Sequence, residues 1–137
     1  MKVKGRKMTR RLWFLSLVLI LGLGLQPALA QDDLFQKGKT FFETEGNCVD
    51  CHRLNGQGLP GTYPALDGDP FVTGQPRPVI ATVLNGRKGN LGEMPSWKDK
   101  LDDTQIAAVV TYIRHAWSNQ APAVSPALVA EIRKKAK

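Results

Sequence analysis

The chain has 137 residues, 42% hydrophobic and 23% charged, with 19 Lys and Arg against 12 Asp and Glu. Six of the basic residues and none of the acidic ones fall in residues 1–30, so residues 31–137 carry 13 against 12, a net charge near +1. A chain this short makes one domain with a limited core, and its high overall charge gives no basis for a nucleic-acid partner.

Residues 1–30 have the layout of a secretory signal peptide. Lys2, Lys4, Arg6, Lys7, Arg10 and Arg11 precede an apolar run from Leu12 to Leu25, and Ala28-Leu29-Ala30 forms an A-x-A-like cleavage site. The run is shorter than the ~20 residues that span a bilayer. Cleavage after Ala30 and export to the periplasm are therefore expected, with an uncleaved, tilted anchor as the alternative.

From about Asp33 to Glu45 the sequence reads as a helix. Leu34, Phe35, Gly38, Phe41 and Phe42 recur on one face of a 3.6-residue period. Asp32 and Asp33 suit its first turn. Gly38 weakens a helix interior and reads as a notch where a second helix approaches.

Cys48-Val49-Asp50-Cys51-His52 comes next. C-x-x-C-H is the attachment signature of a c-type haem. Two thiols at this spacing can each add to a vinyl group of one porphyrin, and the histidine after the second thiol can ligate the iron. A thioredoxin-like site would need a βαβ pattern, which is not visible. A zinc site lacks ligands, since the chain has only these two cysteines and one further histidine, His115.

Residues 55–78 are rich in Gly and Pro and read as a long loop. The string Gly56-x-Gly58-x-x-Gly61 is not a dinucleotide fingerprint: no strand precedes it, no helix opens from it, and Pro60 interrupts it. Val79 to Leu84 reads as one or two helical turns stopped by Asn85-Gly86, and Arg87 to Ser96 as loop. A final strong helix is expected over about Asp103 to Trp117. Asp102 and Gln105 form a capping-box pattern, and Ile106, Val109, Val110, Ile113 and Trp117 form an apolar stripe. Residues 121–137 form a tail with a short terminal helix from Ala127. Its Arg133, Lys134, Lys135 and Lys137 read as a solvated, frayed end, with a docking patch for an acidic partner as the alternative.

The sixth iron ligand decides the function, because a closed iron favours electron transfer and an open one permits catalysis or gas binding. Once Met1 and Met8 leave with the signal, Met94 is the one methionine. It lies in a loop and is followed by Pro95, an unusual place for a core filler. Met94 is therefore expected as the axial ligand opposite His52. His115, beside Arg114 and off the apolar stripe, reads as a solvated helix residue.

Gly38 and Phe42, Cys48-x-x-Cys51-His52, Met94-Pro95 and Tyr112-Ile113 together resemble a class I (monohaem) c-type cytochrome over nearly all of residues 33–120. The resemblance implies a small all-α bundle around one covalent haem c, with long Gly/Pro-rich loops. Its first and last helices would cross at Gly38, with Phe42 and Tyr112 packed around it. Pro60 resembles the loop proline whose carbonyl accepts a hydrogen bond from the proximal histidine; a simple turn proline is the alternative. Tyr63 and Trp97 are candidates to pack on the haem or reach a propionate, with core packing as the alternative. Residues 58–66 and 107–114 look like the cytochrome domains of alcohol dehydrogenase cytochrome subunits and the small cytochromes of terminal oxidases. Such subunits carry several C-x-x-C-H motifs, and this chain has one.

The expected domains are thus a signal peptide at 1–30, a cytochrome c domain at 31–120 and the tail at 121–137. The expected function is a monomeric, periplasmic one-electron carrier of a respiratory chain, not an enzyme. Dehydrogenase donors and oxidase or other acceptors would dock weakly at an exposed haem edge. Contact with a membrane would come only through partners or an uncleaved signal. A second reading is a haem subunit of a dehydrogenase or oxidase complex, held by residues 121–137. A third is a haem enzyme or gas sensor in which Met94 is displaced, although no acid or base is evident for it.

Overall fold

The computed structural model describes residues 26–89 and 92–136, with residues 26–30 as backbone only. Most of the expected signal peptide therefore lies outside the described residues. The chain's contacts divide between Ala30 and Gln31, and the second unit runs from Gln31 to Lys137.

The first helix, α1, spans Gln26–Thr40 and continues as a π-helical turn over Phe41–Glu45. It begins upstream of the expected start, so Asp32 and Asp33 stand inside it rather than at a cap. A π turn is a rare local widening of a helix, seen mostly as a single turn. Here Phe41 and Phe42, adjacent in sequence, are both buried. The next helices are short: α2 over Val49–His52 and α3 over Pro70–Thr73. The turn α3 inside the expected loop is started by Asp69, whose side chain accepts from the Phe71 N–H at 2.8 Å, and by Pro70 at the first position.

Helix α4 spans Pro76–Asn85, three residues longer at its start than the apolar run suggested, because Pro76 can open a helix. Two two-residue strands, β1 (Arg87–Lys88) and β2 (Glu93–Met94), pair antiparallel with Arg87 opposite Met94. The sequence reads as loop here, since two residues are too few to show an alternating pattern. Helix α5 spans Asp103–His115, and its capping box is formed: Gln105 N–H donates to Asp102 Oδ1 at 2.8 Å, and Asp102 N–H donates to Gln105 Oε1 at 3.0 Å. It ends before Trp117, which takes φ +58°, a conformation that side chains of this size rarely adopt. Helix α6 spans Pro126–Arg133, with Ser125 as its N-cap and Pro126 at the first position.

The core forms where α1, α4, α5 and α6 meet. Phe42, Ile80, Leu84, Ile106, Val110 and Val129 are fully buried, and each such side chain contributes roughly 1.5–3 kcal/mol by leaving water. Gly38 is the crossing notch. A Cβ there would collide with the Ala108 carbonyl and lie 2.8 Å from Tyr112 Cβ. Around the crossing, Phe35 and Phe42 each have ring centroids 5.2 Å from Tyr112, and Trp117 lies 5.7 Å from both Phe42 and Tyr112. Segment 121–137 is not a detached tail, since Val129 and Ile132 are buried on α6.

Among the described residues, no helix is long and apolar enough to cross a membrane.

Candidate functional site

The helix α2 places the C-x-x-C-H residues on a single turn. Cys48 is its N-cap, and the His52 N–H donates to the Cys48 carbonyl at 2.9 Å. Left-handed residues bound the turn on both sides, Asn47 at φ +48° and Arg53 at φ +62°. Both cysteines are unpaired and half-buried. Burial pushes the Cys48 thiol up to about 11, opposite to the lowered value that a redox-active C-x-x-C nucleophile needs.

His52 is half-buried, and burial pulls its pKa below the ordinary value. The imidazole is thus kept in the neutral form that a metal ligand requires. Its Nδ1 lies 3.3 Å from the carbonyl oxygen of Pro64. When Nδ1 carries the proton and donates to that carbonyl, Nε2 is left as the ligating nitrogen.

The proline in this role is Pro64, not Pro60. Leu59 and Tyr63 exchange backbone hydrogen bonds of 3.0 and 2.8 Å, so residues 59–63 fold back on themselves and leave Pro60 exposed at the outer turn. Gly58 N–H donates to the His52 carbonyl at 3.0 Å, and Leu66 N–H donates to the Gly56 carbonyl at 2.7 Å. These bonds bring the Pro64 carbonyl back to the histidine. Two prolines in one Gly-rich string satisfy the same sequence pattern, and only the turn between them selects one.

Tyr63 is half-buried and reaches Cys51. The Cys51 thiol beside it raises the tyrosine pKa above its ordinary value. Its ring lies against Gly92, two residues before Met94. Tyr63 thus joins the cysteine turn to the methionine hairpin.

Met94 is half-buried at the end of β2. The chain after it is fixed by the end of α4, whose last carbonyls have no partner within the helix. Ser96 Oγ donates to the Leu84 carbonyl at 2.7 Å. Trp97 N–H donates to Val83 at 3.2 Å, and Lys98 N–H to Leu84 at 3.0 Å. Gly86 makes this approach possible. It has φ +72°, and a Cβ there would lie 2.5 Å from the Met94 carbonyl oxygen and 2.8 Å from Ser96 N. Trp97 is half-buried, with its ring centroid 5.5 Å from Phe41 and the Lys100 ammonium 5.2 Å above it. His115 is exposed, with Phe35 at 6.0 Å.

Sequence reasoning missed two further groups. Arg114 is buried, and its guanidinium donates to the carbonyls of Val72 at 2.6 Å, Gly74 at 2.9 Å and Pro122 at 3.2 Å. A clasp joins the end of α5 to the loop that carries Pro64. Trp117 Nε1–H donates to Leu54 at 2.8 Å, Asn119 Nδ2–H to Leu66 at 2.9 Å, and the Ser118 N–H to Asp67 Oδ1 at 3.0 Å. The Gly56-to-Gly61 string was the one hint that this loop is held closely.

Two unpaired thiols on one turn, an imidazole with one nitrogen held by a carbonyl, and a thioether on a pinned hairpin fit a covalent haem. Leu59 and Phe71, each 40% exposed, and Leu54, 65% exposed, are apolar surfaces without full cover from the protein. The helical fold and this donor set define a c-type cytochrome.

The chain belongs to the family described as cytochrome c oxidase, cbb3-type, subunit III, whose model matches residues 33–113. It is 34% identical to the cytochrome c subunit of the quinone alcohol dehydrogenase of Gluconacetobacter polyoxogenes, over 63% of this chain and 20% of that one. It is 37% identical to the cbb3-type cytochrome c oxidase subunit CcoP of Helicobacter pylori, over 59% of this chain and 27% of that one. It is 34% identical to cytochrome c-552 of Thermus thermophilus, over 53% of this chain and 63% of that one. The chain thus spans about a fifth of the alcohol dehydrogenase subunit it matches. The family's cofactor is covalently bound haem c, and a cytochrome c domain implies electron transfer.

Proposed function

We propose that this chain is an exported one-electron carrier, with a single haem joined to Cys48 and Cys51 and its iron ligated by His52 and Met94. A haem bound there supplies the one-electron couple. The chain's own residues do the rest. The Pro64 carbonyl holds the His52 imidazole in one tautomer, and the end of α4 holds the hairpin that presents Met94. The observation that carries the reading is this pinned hairpin: a half-buried methionine of a small domain is fixed by three hydrogen bonds from the residues just after it.

Export to the periplasm with cleavage after Ala30 belongs to the same proposal. The A-x-A pattern supports it. The redox partners would be dehydrogenases as donors and oxidases or other proteins as acceptors. Relatives that are subunits of a dehydrogenase and of an oxidase favour a second reading, a haem subunit within such a complex.

The test is Met94→Ala in the haem-loaded protein. A thioether ligand favours ferrous iron. The variant is expected to lose the thioether-to-ferric-iron absorption band, and its reduction potential is expected to fall. An unchanged band and potential would remove Met94 from the iron. N-terminal sequencing of the exported protein checks cleavage, with Gln31 expected as the first residue.

A further inference from the structure

Arg133 lies near the end of the last helix, in a basic run expected to be solvated. Its side chain is only 23% exposed, and each of its three guanidinium nitrogens makes a hydrogen bond. Nε–H donates to Asp103 Oδ1 at 2.7 Å, one terminal nitrogen donates to the Lys98 carbonyl, and the other to the Leu101 carbonyl at 2.8 Å. Both carbonyls belong to one turn, closed by Lys100 N–H and Leu101 N–H on the Trp97 carbonyl at 3.1 and 3.0 Å. The other side of this turn is held by α4, through Trp97 N–H on Val83 and Lys98 N–H on Leu84. The segment after Met94 is therefore clamped between two helices. Pro95, with its fixed φ, is the joint between clamp and ligand. Only the planar fork of an arginine supplies three donors in these directions at once.

We propose that Arg133 is a positioning residue for Met94: by fixing the 97–101 turn from the α6 side, it sets how firmly the Met94 thioether holds the iron. The proposal rests on Met94 being the axial ligand. It assigns α6 a part in the redox site, although α6 lies outside the family match, which ends at residue 113.

The experiment is an optical titration of the ferric, haem-loaded chain with imidazole, which competes with the thioether for iron. It is run on the wild type and on Met94→Ala, Arg133→Gln, Arg133→Lys and Glu131→Gln. Met94→Ala is expected to raise the imidazole affinity most. Loss of the charged fork is expected to raise it about tenfold in Arg133→Gln, with Arg133→Lys in between. Glu131→Gln removes a different anchor of α6, the ion pair with Arg77. It is expected to leave the affinity within about twofold, as for a surface pair.

No change in Met94→Ala would overturn the ligand assignment and this proposal with it. A rise in Met94→Ala with none in either Arg133 variant would overturn the proposal alone. Equal rises in Arg133→Gln and Glu131→Gln would reduce Arg133 to general support of α6, and also overturn it. If Arg133→Gln does not fold, Arg133→Lys and Asp103→Asn carry the test. A rise of about threefold in each supports the proposal, as expected for one weakened charge-assisted bond, and unchanged affinity in both overturns it.

Discussion

Single residues in this chain are set by backbone carbonyls more than by one another. His52 is oriented by Pro64, Trp117 by Leu54, Asn119 by Leu66, and Arg114 by Val72, Gly74 and Pro122. Arg114 shows what such a bond set is worth. Arg114→Met keeps most of the side-chain volume but leaves three carbonyls without their donor. The expected cost is about 3 kcal/mol, a fall in Tm of roughly 15 °C, read by thermal unfolding of the haem-loaded protein. The C-x-x-C-H motif was legible because its chemistry is local and few other residues could replace it. Pro64 and Arg114 were not. One depended on which of two prolines a turn would bring back, and the other on carbonyls about 40 residues away in sequence that no periodicity reveals.

Elements were legible where their signals were local. The capping box of α5 and the notch at Gly38 are both present as the sequence implied. The start of α1, the turn α3 and the two-residue hairpin were not, because a helix boundary upstream of an apolar face and a strand pair of this length leave no pattern. The packing of α6 was equally hidden, since its basic end looks like a solvated one. A bidentate pair ties α6 to α4: Arg77 donates to Glu131 Oε1 at 3.0 Å and Oε2 at 2.9 Å. Arg77 and Lys135 hold the Glu131 carboxyl at about 2, against an ordinary 4.5. A lowered folded-state pKa means the carboxylate's contribution is fully present above 4.5 and is lost as the pH falls toward 2. In Glu131→Gln, stability is therefore expected to fall less steeply than in the wild type across that window, measured by denaturant unfolding at stepped pH. Parallel curves would show that the pair contributes nothing.

For the whole molecule, the helices and the two loop systems divide the work. The crossing of α1 and α5 supplies the rigid core. The loop from Leu54 to Gly68, clasped by the end of α5, presents the histidine's partner. The hairpin and the turn behind it, held by α4 and α6, present Met94. Both sides of the expected iron site are thus built on backbone tied down by distant elements, which suits a carrier that must change charge with little rearrangement. The central claim is that the iron is closed on both faces, and it is tested most directly by adding carbon monoxide to the reduced, haem-loaded protein. The predicted result is an unchanged absorption spectrum, because His52 and Met94 leave no open position. A spectrum shifted by carbon monoxide would contradict it, showing an open or easily displaced sixth position and a protein built for binding small molecules rather than for carrying electrons.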